Sequence, residues 1–533
     1  MVVGTLRRLF VSLCPLMTPL LVALMGSVTV AQSPAGQDGL DRAAQFTLSQ
    51  TVRLVVLDVV VTDKQGNLVP DLTSKDFAIY EDKQKQTIHS FEGSTDHHLP
   101  PEVRVESTAD LAKAPDTPVT ILVLDELNTR FEDMAYARFT LKSYLLRQSA
   151  VLPHPVALLV AGNTKFKVLM DYTRDRAALL NALDQHFPEY PWKMQLSGKS
   201  GPGTAERLAM SLGSLQQIAQ ATSGHPGRKN VIWVGRGFPS VNTIQSPDRD
   251  ALVIQGALRT AINALRDARI TLSTIDPTAN ASSTVDIETP DDLATAEDEN
   301  GGDPFPGNVN FQLIAPATGG RVFYSRNDID NEIGTSIRDG ENYYTLSYSP
   351  SNRNDQAQPY RRISIQINRP GLIATTRNGY YIRTDAPPRS TTPAEVKGLR
   401  AKLAFDMGSA ANSDIAYTGL ACSVSPMAGK PNAFVLHVDS PALAWRELPG
   451  ESRQAEVTIL VASFSKEKKM IGHLIEEIAT TLPVPQPGVT QQATADFTVT
   501  NDIPTDAVRV RFVVRDAANG KIGTVDYAPQ MSR

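Results

Sequence analysis

Pro118-Val119-Thr120-Ile121-Leu122-Val123-Leu124 is an apolar run broken only by one threonine, and it ends abruptly at Asp125-Glu126-Leu127-Asn128-Thr129. A strand that faces solvent on one side alternates apolar and polar residues. A run without alternation needs burial on both faces, as in a parallel sheet covered by helices. In such sheets ligands gather in the crevice beyond the carboxyl ends of the strands. Asp125, Asn128 and Thr129 are therefore candidate site residues, with one bland alternative: Asp125 caps the helix that starts near Phe131.

The chain downstream repeats this pattern. Helical spacing of Met134, Phe139, Leu141, Tyr144 and Leu145 marks a helix over 131–148, and Pro155–Ala161 is the next buried strand. Lys165–Tyr172 reads as its antiparallel partner, followed by helices over 176–187 and 206–222. Lys229–Val234 is a third central strand, 250–267 a helix and Ile270–Asp276 a fourth strand. Short helices at 311–318 and 328–338 flank a strand at Arg321–Tyr324, and the acidic stretch Ser282–Asn308 reads as a mobile excursion. Repeated strand–helix units predict an α/β fold with a mostly parallel sheet and helices on both faces. Asp276, before Pro277, is either a turn residue or another carboxylate on the same rim.

With 533 residues the chain has material for about three domains. The first part, 1–31, reads as an export signal: Arg7 and Arg8 precede the apolar stretch Leu9–Val30, and Thr29-Val30-Ala31 supplies small residues for cleavage. The alternative is an uncleaved anchor. Cleavage removes two positive charges from a net charge of -5 and leaves -7, with Cys422 as the one remaining cysteine. That cysteine reads as an inert thiol, and an acidic chain with no basic patch argues against nucleic acid as a partner. After signal cleavage no membrane contact is expected.

A polar linker at 32–46 leads to a small β module at 47–96, and Asp96-His97-His98 lies too exposed and too adjacent to read as a metal site. The central domain spans 115–384 and ends in a β extension whose tyrosines, Tyr343, Tyr344 and Tyr348, read as a packed sheet face. A linker at 385–394 precedes a β-sandwich-like domain at 395–533, in which Met470–Ile478 reads as either strand or short helix.

Several of these segments together resemble a known family. They are Asp125–Thr129, Pro226-Gly227-Arg228-Lys229-Asn230-Val231-Ile232-Trp233-Val234, Gly237-Phe238-Pro239, Tyr360-Arg361-Arg362-Ile363 and Arg369-Pro370-Gly371-Leu372. Asp76-Phe77, Glu81-Asp82 and the Phe512–Val525 stretch extend the likeness over nearly the whole mature chain. The set is similar to the von Willebrand factor A-related domain family of acidobacterial exported proteins. The resemblance implies a von Willebrand A-like fold used for binding. It also implies a divalent cation at the carboxyl edge of the sheet, held by Asp-x-Ser-x-Ser, a threonine from a second loop and an aspartate from a third. Mg²⁺ suits such an oxygen shell. Asp125 matches the leading aspartate, Thr129 the last hydroxyl and Thr204 the second-loop threonine, so these three are the candidate metal ligands. Leu127 stands where the first serine belongs, and Arg236 where the third-loop aspartate belongs. A guanidinium there would compete with a cation for Asp125, and an Arg236–Asp125 ion pair is one way to replace the metal.

Catalytic motifs are missing from the sequence. There is no Gly-x-Ser-x-Gly elbow and no His-Glu-x-x-His; Gly198-Lys199-Ser200 lacks the preceding glycine of a phosphate loop, and Asp298–Asp303 fails calcium-loop spacing. The sequence thus leads to an exported, non-enzymatic protein, periplasmic or extracellular, that binds a protein partner through a degenerate cation site and needs no cofactor. The alternatives are a Mg²⁺-dependent adhesin and a hydrolase assembled from distant residues.

Overall fold

The computed structural model describes residues 54–529, apart from 101, 163–165, 189–203, 239–240, 243–247, 279–307, 310, 325–327, 352–359, 383–392, 431 and 486–492. The export signal, the polar linker and nearly all of the acidic stretch lie outside the described residues. Among the described residues no helix is long and apolar enough to cross a membrane.

Val119–Asp125 runs through the middle of a six-stranded mixed sheet. It pairs in parallel with Val151–Ala161 on one side and Lys229–Val234 on the other. Ile270–Ile275 and the short Val322–Phe323 continue the parallel run, while Phe166–Asp175 closes the opposite edge antiparallel to Val151–Ala161. Every residue of Val119–Asp125, Lys229–Val234 and Ile270–Ile275 is buried, as unbroken apolar runs require.

Side-chain alternation divides that burial between two cores. Val119, Ile121, Val123, Val231 and Trp233 face the helices Thr204–Thr222 and Asp248–Asp267, whose Leu208, Leu212, Leu215, Leu258 and Leu265 complete one core. Leu122, Leu124, Ile232 and Val234 face the helices Phe131–Leu146, Arg176–Gln185 and Ile329–Glu341, through Met134, Leu141, Leu179 and Ile333.

The small β module and the β extension share their sheets. Val55–Thr62 lies antiparallel to Tyr344–Tyr348, with Leu57 opposite Leu346, and Phe77–Glu81 lies antiparallel to Tyr360–Ile367, with Ile79 opposite Ile365. Two four-stranded sheets result, and the central sheet unit is inserted between their two halves of sequence. The physical reason is that isolated hairpins cannot bury an apolar face alone. Here Leu57, Val59, Val61, Phe77, Ile79, Tyr344, Leu346 and Tyr348 form one core. The tyrosines are core residues: Tyr348 donates to Glu81 Oε2 at 2.6 Å, and Tyr344 to the carbonyl of Val69 at 2.6 Å. His97 is also buried, stacked on Tyr343 with ring centroids 4.3 Å apart.

After 392 the structure departs from the all-β expectation, since Pro393–Asn412 is a helix. Two antiparallel sheets follow, and their inner residues Phe434, Leu436, Ile459, Val461, Phe497, Phe512 and Val514 meet in one core. Met470–Pro483 is a strand along the whole of Ser452–Phe464. On the outer face of that sheet Leu460, Ala462 and Val513 pack against Met407, Ala410 and Ala411 of the helix and against Ala221 of the central unit. Thr418 fixes this joint: its N–H and its hydroxyl both donate to the Ala221 carbonyl at 2.8 Å. Cys422 is partly buried, and its apolar surroundings push the thiol up to about 12, which leaves it protonated and unreactive at neutral pH.

Candidate functional site: a capped carboxylate at the sheet edge

The loop after Asp125 is drawn across the neighbouring strand, because the N–H groups of Glu126 and Leu127 both donate to the Ala161 carbonyl, at 2.9 and 3.0 Å. The chain then doubles back. The Asn128 N–H donates to Asp125 Oδ1 at 3.0 Å, a side-chain-closed turn three residues on of the kind short polar side chains favour. That turn sets the Asn128 amide 3.2 Å from each oxygen of Asp125 and 3.1 Å from Ser211 Oγ on the helix Thr204–Thr222.

The other side of Asp125 is closed by the end of the third central strand. Val123 is in register with Trp233, and Asp125 lies one pleat further along the same face. The indole Nε1–H of Trp233 therefore reaches Asp125 Oδ2 at 3.0 Å, and the Gly237 N–H donates to the same oxygen at 3.0 Å. The turn between them needs glycine. Gly235 has φ +149°, and a Cβ on it would lie 2.4 Å from Asp125 Cβ and 2.6 Å from Thr129 Oγ1.

Asp125 is thus 0% exposed and surrounded by N–H donors. Burial pushes its carboxyl upward, while the hydrogen bonds from Trp233, Asn128 and Gly237 pull in the opposite direction. It does not act as the cap of the helix Phe131–Leu146, whose N-cap residue is Arg130.

The Arg236–Asp125 ion pair, one way the sequence offered to replace the metal, is not found among the described residues. The Arg236 N–H donates to Thr129 Oγ1 at 3.1 Å, and the Arg236 side chain turns toward Asp276, with Nε 3.9 Å from Oδ2. Trp233 and Gly237 already occupy the position beside Asp125. Asp276 combines both roles foreseen for it: Oδ1 accepts from the Thr278 N–H at 3.0 Å and from the Thr278 hydroxyl at 2.6 Å, and Oδ2 faces Arg236. Asp133 completes the charged group. Its carboxyl is pushed up by burial, held down by Arg130 and raised again by Asp276.

This geometry does not fit Mg²⁺. The ion requires oxygen atoms arranged octahedrally. Here Leu127 is buried and offers none, and Asp125 already faces the positive ends of N–H dipoles. Thr204 begins its helix, but its side chain lies outside the described residues. Among the described residues no group of three or more His, Cys, Asp or Glu side chains converges as metal ligands, the pair His97 and His98 included.

Five side chains at this edge carry no signal in the local sequence: Trp233, Ser211, Asp133 and the buried pair Glu126–His186, whose Oε1 and Nε2 lie 2.7 Å apart. Trp233 alone was recoverable, once the register that sets it opposite Val123 is known.

Comparison with known proteins adds little. No family model matches the chain, and no curated protein matches it. Among solved structures, the crystal structure of the SpRpn10 VWA domain is similar over 30% of this chain and 89% of that chain, at 18% identity and a TM-score of 0.17. An endonuclease/exonuclease/phosphatase from Beutenbergia cavernae DSM 12333 is similar over 36% of this chain and 38% of that chain, at 6% identity and a TM-score of 0.09. Likenesses of this size decide neither fold nor function.

Proposed function

We propose that the central unit is a von Willebrand A-type domain with a closed, metal-free cation site. On this proposal the protein is exported, belongs with the acidobacterial exported family it resembles, and binds a protein partner through the rim that carries Arg236 and Asp276, with Thr129 and Asn128 holding the loop beneath them. The observation that carries this function is the state of Asp125: fully buried, with its oxygens already accepting from Trp233, Gly237 and Asn128. A carboxylate enclosed in this way offers a cation no open face and a substrate no base. What is left for contact at the rim is the Arg236–Asp276 pair, whose side chains are 24% and 13% exposed. Charged pairs of this kind set partner choice and association rate more than raw affinity.

The test uses the chain lacking residues 1–31. Crosslinking in envelope extracts identifies the bound protein, and its affinity is then measured against the purified chain and against Arg236→Glu. A tenfold or larger loss in the variant supports the rim as the contact surface; an unchanged affinity removes it. Turnover of ester or peptide substrates that disappears with Asp125→Ala would replace the binding function by a hydrolytic one.

A further inference from the structure

Where the β module meets the central unit there is a small cavity lined by polar and apolar side chains alike, at the opposite end of Ile270–Ile275 from the rim. It has a volume of about 20 Å³ and is lined by Asp58, Thr376 and Arg377 from the module and by Arg266, Arg269 and Thr271 from the central unit. A space of that size holds one water-sized particle.

Four guanidinium groups, Arg228, Arg266, Arg269 and Arg377, stand around Asp58, with Asp267 paired to Arg266 and with Glu92 and Asp339 acting on Arg269 and Arg228. Arg266 is paired with Asp267 at 2.6 Å, and Arg269 with Asp58 at 2.5 Å. Burial alone would raise the Asp58 carboxyl, but Arg269, Arg228 and Arg377 together hold it below the usual carboxylate range. Three guanidinium groups therefore act on one carboxylate. Arg228 is buried against the Tyr343 ring at 4.8 Å and donates to Thr271 Oγ1 and the Asp339 carbonyl. Arg377 spends one Nη2–H on the Val56 carbonyl at 2.7 Å, and its buried Nε–H has no hydrogen-bond partner among the described residues. Uncompensated buried charge is costly, and so is an orphaned charged donor.

We propose that this cavity binds one small monovalent anion of chloride size, which neutralises Arg377 and ties the β module to the central unit. The anion would take up the free Arg377 donor, with Arg266 and Arg269 supplying further positive potential. Asp58 opposes it, but its charge is already committed to Arg269.

The experiment measures Tm of the chain lacking residues 1–31 while sodium chloride replaces sodium gluconate at constant ionic strength. A ligand bound only by the folded state raises Tm saturably, here by about 1–2 °C for a tenfold gain in the folding equilibrium of a chain this long. Arg377→Gln should abolish the rise, Asp58→Asn should steepen it, and Arg446→Gln, an exposed control, should leave it unchanged. Crystals soaked in sodium bromide provide a readout that does not depend on the variants folding, because bromide scatters anomalously. An anomalous peak between Arg377 and Arg269 supports the site. A peak absent at saturating bromide, with water alone in the density, overturns it, as does a Tm rise of equal size in Arg377→Gln.

Discussion

Trp233 donates its indole N–H to Asp125 Oδ2 at 3.0 Å, inside a core where both residues are fully buried. One hydrogen bond thereby joins the ends of two parallel strands and uses an oxygen that a cation site would need. Trp233→Phe removes the donor and some volume, and should cost about 2–4 kcal/mol of unfolding free energy, read from urea midpoints. Asp125→Asn should cost less when combined with Trp233→Phe than in the wild type, because the two residues share one interaction. Equal costs in the two backgrounds would show that they act independently.

The wild-type chain should show no Tm change with millimolar Mg²⁺ or Mn²⁺. Replacing Leu127 by Ser and Arg236 by Asp supplies two oxygen groups at the positions the resemblance marks as deviant, yet it leaves Trp233, Gly237 and Asn128 on Asp125. The double variant should therefore remain insensitive to metal. A metal-dependent rise of about 1–2 °C, equivalent to roughly 1 kcal/mol for a chain this long, would show that the N–H groups give way to a cation.

Gly224 lies against the C-terminal unit so closely that a Cβ on it would be 1.7 Å from the Thr418 carbonyl oxygen. Gly224→Ala must push the two apart, at a cost of about 1–3 kcal/mol. The loss should be local. Protease cleavage near residues 412–420 should accelerate while exchange at the amides of Val119–Asp125 stays slow; uniform acceleration across the chain would contradict a local joint.

His154 and His225 are buried, and burial pushes both imidazoles down to about 4. Lys229 adds to the effect at His225, and His98 at His154. Their unfolded value is about 6.5, so the unfolded chain takes up the protons first as pH falls. Their contribution to stability is complete above about pH 6.5 and is lost as pH drops toward 4, by roughly 1.4 kcal/mol per pH unit for each histidine. His225 Nε2 is 2.7 Å from the Thr117 carbonyl, and glutamine there retains a donor. Denaturation of the His154→Gln, His225→Gln variant between pH 6.5 and 4.5 should show a visibly flatter slope than wild type.

Much of the candidate site was legible, but not its wiring. The spacing of residues placed Asp125 at a strand end, and its parallel neighbours are the strands expected at Pro155–Ala161 and Lys229–Val234. The resemblance brought Arg236 near it. Which donor would reach the carboxylate depended on angles within the turn at Gly235 and on the pleat of a strand more than a hundred residues away. Both lie outside the reach of local pattern. The helix Pro393–Asn412 was missed because its apolar residues are spread around it: Phe405 faces solvent while Met407, Ala410 and Ala411 cover a sheet far along the chain, so no helical stripe stands out.

The sequence alone determined where the central strands lie, because a run such as Ile121-Leu122-Val123-Leu124 is costly in any arrangement that wets either face. It also determined that each run ends in a polar tip, since backbone and carboxylate there must find partners. Only the tertiary structure decided who those partners are. It joined Val55–Thr62 to Tyr344–Tyr348 across the whole central unit, gave Asp125 to Trp233 and Gly237, and sent Arg236 to Asp276. Periodicity is a property of neighbouring residues, whereas register and loop closure are settled by the packing of the complete chain.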